Sequence, residues 1–123
     1  MRSQRQLRVG EEIRHALATV LLRGDVSWPQ GFVPPATITV TEVTVSPDLK
    51  NATAYVMPLG GEKLKETVKA LNFAAGFFRY AIGKAVLLRH VPAIKFVADE
   101  SFIEAQRIQK ILLDPAVAKD LKN

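Results

Sequence analysis

The residues whose chemistry is easiest to interpret are the cations of one predicted helical segment, which begins near Glu62 and runs to Leu88. At about 100° per residue, one stripe of this segment is apolar and comprises Leu64, Val68, Leu71, Ala75, Phe78 and Ile82. A second stripe, about 100° away, mixes cations with glycines and comprises Lys65, Lys69, Asn72, Gly76, Arg79 and Gly83. A cationic helix face that lacks side chains lets a phosphate backbone approach main-chain atoms. The pattern therefore predicts contact with a nucleic-acid backbone.

The glycines of this stripe also have a packing explanation. Each one costs roughly 1 kcal/mol relative to alanine in a helix interior, so each needs a reason. Gly76 would suit the close approach of another helix, and the lysines would then be merely hydrated. Ala74, Ala75 and Gly76 form a low-bulk turn, which predicts a kink between two helices. The kink favours the phosphate interpretation, but the stripe alone leaves both open.

Further cations lie outside this stripe. Lys84 and Arg89 follow the kink and precede the next predicted strand. Arg2, Arg5 and Arg8 recur every three residues near the start of the chain, where a basic arm that touches RNA and a merely solubilising arm are equally consistent with the spacing. The net charge of +5, from 17 Lys+Arg against 12 Asp+Glu, favours an anionic partner. The candidate RNA-binding residues are therefore Arg2, Arg5, Arg8, Lys69, Arg79, Lys84 and Arg89.

Other kinds of chemistry find little support in the residue types. Glu11–Glu12 and the pair Glu62 and Glu66 are carboxylate pairs, but nothing pairs them with a nucleophile or a metal ligand. The chain has no cysteine and only two histidines, too few for a thiolate or histidine metal centre. It also lacks a Walker loop and a GxGxxG motif. These residue types predict no metal centre and no recognisable active site for a small-molecule substrate.

Three aromatic residues lie on the side of the kinked helix opposite Leu64, namely Phe73, Phe77 and Tyr80. Such rings can stack on nucleic-acid bases. We expect instead that the kink and the first helix of the chain bury at least two of them.

The elements that must position these residues form a single α+β domain. Apolar periodicity predicts a first helix from Ser3 to Arg23, capped by Ser3 and ended at Gly24. Alternation and β-branched residues predict strands over Thr37–Val45 and Ala52–Leu59, joined by a tight turn. A long helix opens near Glu62 and is interrupted by the predicted kink.

The rest of the chain contributes one strand and one helix. The segment "VPAIKFVAD" alternates and predicts a third strand, and Ser101 to Leu113 predicts a C-terminal helix. The Gly24–Pro35 loop holds Trp28, which we expect to fold onto the core. We predict one domain over residues 1–113 and a fraying tail over residues 114–123.

No apolar run approaches the roughly 18 residues of a membrane span. The chain does not begin with a signal-peptide pattern, and the absence of cysteine suits a reducing compartment, so we expect a cytoplasmic protein without a membrane partner.

The order α-β-β-α-kink-α-β resembles that of the type II KH domain, an RNA-binding fold. In place of the GxxG loop of that fold, Ala74-Ala75-Gly76 is similar to the AxG kink of the bacterial ribosome-binding factor A family. "RVGEEIRHALATVLLR", from Arg8, resembles the first helix of that family, and "ITVTEVTVSPDLKNATAYV", from Ile38, resembles its hairpin. "LRHVPAIKF" and "DESFIEAQRI" are similar to its second half. The resemblance covers nearly the whole chain.

This resemblance implies a monomeric cytoplasmic protein that binds the free 30S small ribosomal subunit. It implies contact with 16S rRNA and assistance in late subunit maturation and 16S rRNA processing, with no catalysis and no cofactor. The alternative is a KH-like module for protein interaction, whose surface charge is incidental. Salt dependence separates the two, because affinity that arises from phosphate neutralisation falls steeply with ionic strength.

Overall fold

The computed structural model of the chain describes residues 2–24, 34–61 and 63–101. Its elements are helix α1 (Gln4–Arg23), strands β1 (Ile38–Val45) and β2 (Asn51–Pro58), helices α2 (Leu64–Phe73) and α3 (Ala75–Ala85) and strand β3 (Ala93–Ala98). Short 3-10 turns precede β1 and follow β2. The predicted order α-β-β-α-kink-α-β is confirmed. Trp28, Glu62, the body of the predicted C-terminal helix and the tail 114–123 lie outside the described residues.

Helix α1 begins and ends at local sequence signals. The Ser3 hydroxyl accepts a hydrogen bond from the Gln6 backbone N–H, and the Gln6 side chain accepts one from the Ser3 N–H, which completes a capping box. Gly24 ends the helix in the left-handed region at φ 69°. The Gln6 amide nitrogen also donates to the buried Val45 carbonyl at 2.9 Å. The cap therefore also fixes the first turn of α1 to the end of β1.

The sheet has the strand order β1-β2-β3. Strands β1 and β2 pair antiparallel as a hairpin, whereas β3 lies parallel to β2. In the hairpin turn the Asp48 carboxylate accepts hydrogen bonds from the Ser46 hydroxyl and the Lys50 N–H. These bonds hold the pKa of the exposed Asp48 carboxyl below its usual value. Leu49 takes a positive φ of 61° in this turn and packs against the core.

The core lies between one face of the sheet and the helices. α1 packs mainly on β1, and α2 and α3 pack on β3. Leu71, Phe78 and Ile82, from the predicted apolar stripe, are fully buried, and the Phe78 and Phe96 rings meet edge to face at 5.1 Å between centroids. Because only one sheet face needs helical cover, each strand alternates buried and more exposed residues over most of its length.

The free edge of β3 is closed by a side chain of α2. The Asn72 amide nitrogen donates to the Phe96 carbonyl and the Asn72 amide oxygen accepts from the Phe96 N–H, each at 2.8 Å. Asn72 thus supplies the hydrogen bonds that a further strand would supply. It also fixes the end of α2 relative to the sheet, and with it the position at which α3 begins.

We expect Asn72→Ala to lower the free energy of unfolding by about 1–3 kcal/mol, because both Phe96 backbone groups lose their partner. The measurement is urea denaturation at neutral pH. Asn51→Ala is the matched control, since Asn51 is exposed and its side chain bonds to none of the described residues. Equal stability of the two variants would show that the Asn72 bonds contribute nothing net.

Candidate functional site

The predicted helix kink is present at Ala74. This residue ends α2 and starts α3 with φ −91° and ψ 12°, outside the helical region. Its N–H donates to the Ala70 and Leu71 carbonyls, and its own carbonyl accepts from the Phe77 N–H. The backbone therefore turns at Ala74 without leaving that peptide unit unsatisfied, and Gly76 is placed in the first turn of α3.

The two glycines of the second stripe have different surroundings. A Cβ added at Gly76 would meet no described atom within 4 Å, and Gly76 is exposed. A Cβ added at Gly83 would lie 3.2 Å from a methyl group of Val91. Close packing thus explains Gly83 but not Gly76. The main chain at the kink is open to an approaching molecule.

Arg79, a cation of this stripe, makes a defined contact within the protein. Its Nε and Nη2 atoms donate to the Val91 carbonyl at 3.2 and 3.0 Å. Together with the Asn72–Phe96 pair and the Gly83–Val91 contact, this bond shows that the stripe borders β3 and the segment before it. Arg79 remains exposed, but part of its hydrogen-bonding capacity holds that segment in place.

A groove of about 950 Å³ separates α1 from α3 and contains Lys84. The Lys84 Nζ atom lies 4.6 Å from the centroid of the Tyr80 ring, within the range of a cation–π contact. The α1 side of the groove includes Glu12, His15, Thr19 and Arg23, and the α3 side includes Phe77, Tyr80, Lys84 and Leu87. Sequence reasoning missed Arg23, although its spacing of fifteen from Arg8 places both on one face of α1.

The expectation that at least two of the three aromatic rings are buried is wrong. Phe73 is 95% exposed, Tyr80 63% and Phe77 37%. The core seam of the helix pair uses Leu71, Phe78 and Ile82, so the rings on the opposite side point away from the sheet. α1 lies beside α3 but does not cover them. Helical spacing already indicated this exposure, because it places all three rings opposite the apolar stripe.

The basic residues near the N-terminus divide into two groups. Arg2 forms an ion pair with Glu42 of β1, with 3.1 Å between Nη1 and Oε1, so it ties the chain before α1 to the sheet. Arg5 and Arg8 are exposed on α1. Arg8 shares a helix face with Glu12, and that face continues into the groove. Arg5 and Arg8 thus lie nearer the start of α1 than the groove does, while Arg2 has a partner in the protein.

The remaining candidate cations, Lys69 and Arg89, are exposed, and the Glu11 carboxylate is paired with an arginine. Lys69 is exposed on α2, and Arg89 is exposed four residues beyond the end of α3. Arg14 donates two hydrogen bonds to the Glu11 carboxylate, and these bonds lower the pKa of Glu11 from its usual value. Glu11 is therefore an ionised surface partner of Arg14, not a poised acid.

Residues 2–24, 34–61 and 63–101 contain no group of three or more side chains that could hold a metal ion. No helix within those ranges is long and apolar enough to cross a membrane. The described surface offers exposed cations and open main chain, which suit an anion, and exposed aromatic rings beside them.

Comparison with known proteins identifies the family. A family model described as ribosome-binding factor A matches residues 5–112. The ribosome-binding factor A of Phenylobacterium zucineum (strain HLK1) is 50% identical over 119 residues, which are 97% of this chain and 81% of that protein. The crystal structure of ribosome-binding factor A from Thermus thermophilus has a TM-score of 0.62 at 22% identity, over 76% of this chain and 94% of that one. A homology model of the Thermus thermophilus protein, fitted into a cryo-electron-microscopy map of a 30S complex, has a TM-score of 0.55 at 18% identity and covers 81% of this chain and 97% of that one. The chain belongs to the ribosome-binding factor A family.

Proposed function

We propose that this protein binds the free 30S ribosomal subunit, contacts its 16S rRNA and assists late maturation of the subunit and processing of that rRNA. Membership of a family named for ribosome binding supports the partner, as does the 30S complex described for the Thermus thermophilus protein. The proposal includes a cytoplasmic monomer that acts by binding and not by catalysis.

The observation that carries the rRNA contact is the open main chain at Gly76, between the exposed cations Lys69 and Lys84. A phosphate can approach this backbone closely because no side chain of the described residues stands over it. The first turn of α3 adds the positive end of a helix dipole. The lysines on either side then neutralise neighbouring phosphates, which releases counterions and supplies most of the affinity.

The other candidate residues extend this surface in two directions. Arg5 and Arg8 continue it along α1 beside the groove, and Arg89 continues it beyond α3. Arg79 supports the surface through its bonds to Val91, which hold the segment that carries Arg89. Arg2 contributes through its exposed guanidinium, although Glu42 already neutralises part of its charge.

A protein-interaction module is the second candidate. It is favoured by exposed apolar side chains, since Leu87 and Leu59 are 103% and 75% exposed. The two candidates differ in salt response. Binding through phosphates weakens in proportion to a high power of the salt concentration, whereas binding through apolar contacts changes little.

The test is co-sedimentation of the purified protein with free small subunits, with large subunits and with whole ribosomes, each at two salt concentrations. We expect the protein to pellet with free small subunits and to be released by added salt. In cells depleted of the protein, we expect 16S rRNA with unprocessed ends. Pelleting with every ribosomal particle alike would contradict a subunit-specific role, and salt-insensitive pelleting would favour the protein-interaction module.

A further inference from the structure

The three exposed rings form a row along the outer side of the helix pair, and we call Phe73, Phe77 and Tyr80 the aromatic row. We propose that the aromatic row stacks on unpaired RNA bases, so that the surface at the kink recognises a single-stranded stretch of RNA and not a duplex. This inference rests on the proposed function and specifies the form of RNA that the surface takes.

The exposure of the row calls for a partner that covers it. Phe73 presents 95% of its surface to water and Tyr80 63%. Ring surface of this extent is unfavourable in water, and contiguous exposed apolar surface marks an interaction site. Among the described residues, the one ring-to-ring contact of the row is the edge contact of Phe77 with Phe78, at 5.7 Å between centroids. Because of their exposure, Phe73 and Tyr80 therefore keep ring surface that a planar ligand can cover.

Charge around the row selects a polyanion as that partner. Lys69 precedes Phe73 by one helical turn, and Lys84 follows Tyr80 by one turn. The adjoining groove adds Arg23, and its described lining holds a single carboxylate, that of Glu12. An acidic strand that carries aromatic bases satisfies both features, because its phosphates meet the cations and its bases meet the rings.

Lys84 gives Tyr80 a defined geometry for such a ligand. Its ammonium group lies 4.6 Å from the centroid of the Tyr80 ring, and Tyr80 is still 63% exposed, so ring surface remains for a base. The same ammonium can then contact the phosphate next to the stacked base. Tyr80 and Lys84 together would thus bind one nucleotide through both its base and its backbone.

The spacing of the rings requires unpaired bases. Phe77 and Tyr80, three residues apart within α3, are offset by about 4.5 Å along its axis, whereas stacked nucleotides in a strand rise about 3.4 Å. Phe73 lies on α2, beyond the kink at Ala74. Bases that stack on successive rings must therefore separate from one another. A duplex does not release its bases in this way, but a single strand does at little cost.

The experiment measures binding of the full chain to a fluorescein-labelled RNA single strand of about 12 nucleotides, within the site sizes of single-strand-binding domains, and to the duplex of the same sequence. The variants are Phe73→Ala with Tyr80→Ala, and the conservative variant Phe73→Trp. Leu59→Ala is the matched control, because Leu59 is 75% exposed and lies outside the row. Circular dichroism checks the fold of each variant.

We expect the double variant to lose about 25-fold or more in affinity for the single strand, from about 5-fold or more per ring. The salt slope should stay unchanged, because no cation is removed. Phe73→Trp and Leu59→Ala should bind as the unaltered chain does. The inference is overturned if the double variant binds the single strand normally, if both RNA forms lose affinity equally, or if the unaltered chain prefers the duplex.

Subunit binding distinguishes this inference from the proposed function. If the unaltered chain fails to sediment with free small subunits, the proposed function fails whatever the oligonucleotides show. If subunit binding holds while single-strand binding ignores the row, only the stacking inference fails. If the double variant loses subunit binding but keeps RNA binding, the row contacts a ribosomal protein and the stacking inference is wrong.

Discussion

The double variant Lys69→Glu with Lys84→Glu is expected to bind free small subunits about 100-fold or more weakly at fixed salt, since each lost charged contact is worth about 1.5–3 kcal/mol. Both lysines are exposed and flank the open backbone at Gly76. If each contacts one phosphate, the slope of log affinity against log salt should shrink by about 1.4–1.8. The measurement is subunit or RNA binding across a salt series.

The matched control is Lys50→Glu with Lys95→Glu, which changes the net charge by the same amount. Lys50 is exposed in the hairpin turn. Lys95 is exposed between the buried Ile94 and Phe96, so it lies on the sheet face that α2 and α3 do not cover. We expect this variant to bind within a few-fold of the unaltered chain, with the same salt slope.

Two results would contradict the proposal that Lys69, Lys84 and the open backbone at Gly76 form the RNA contact. Equal losses in the two double variants would mean that overall charge, and not position, drives binding. An unchanged slope in the first variant would move the RNA contact elsewhere, to Arg5 and Arg8 on α1 in particular. Arg79 is left intact in both variants because its bonds to Val91 hold the chain before β3, so that its loss would mix folding with binding.

The largest effect on stability is expected for Gly10→Ala. A Cβ at Gly10 would lie 2.6 Å from the Val43 carbonyl oxygen of β1, a backbone atom that cannot rotate away. α1 must then move off the sheet, which opens the seam that buries Ile13 and Leu17. We expect the free energy of unfolding to fall by about 2–3 kcal/mol, measured by urea denaturation.

Gly76→Ala is the matched control for this substitution. The same methyl group there meets no described atom within 4 Å, and alanine favours the helix by up to about 1 kcal/mol. The two glycine variants should therefore change stability in opposite directions. A stable Gly10→Ala protein would show that α1 can shift on the sheet without loss, and a destabilised Gly76→Ala protein would restore the packing explanation of Gly76.

The side chains that connect distant elements could not be predicted from the sequence. Asn72 and Arg79 belong to the stripe that predicted a phosphate contact, yet their amide and guanidinium groups bind the backbone of Phe96 and Val91. These partners lie 24 and 12 residues away along the chain. Helical spacing shows which residues share a face, but it does not show what that face meets.

The features that the sequence determined by itself are those that local chemistry specifies. Ser3 and Gly24 set the ends of α1 because capping and a positive φ involve only neighbouring residues. Alternation predicted the strands, and the small residues at Ala74–Gly76 predicted the kink. These signals, together with the family resemblance, were sufficient for the element order.

Only the tertiary structure decided which similar residues have different roles. Gly10, Gly76 and Gly83 are chemically identical, but an added Cβ would meet a strand carbonyl at Gly10, a methyl group of Val91 at Gly83 and no described atom within 4 Å at Gly76. The aromatic row is exposed because α1 lies beside α3 without covering its outer side. Such differences depend on where non-local elements lie relative to one another, and that placement follows from the packing of the whole core rather than from any single segment.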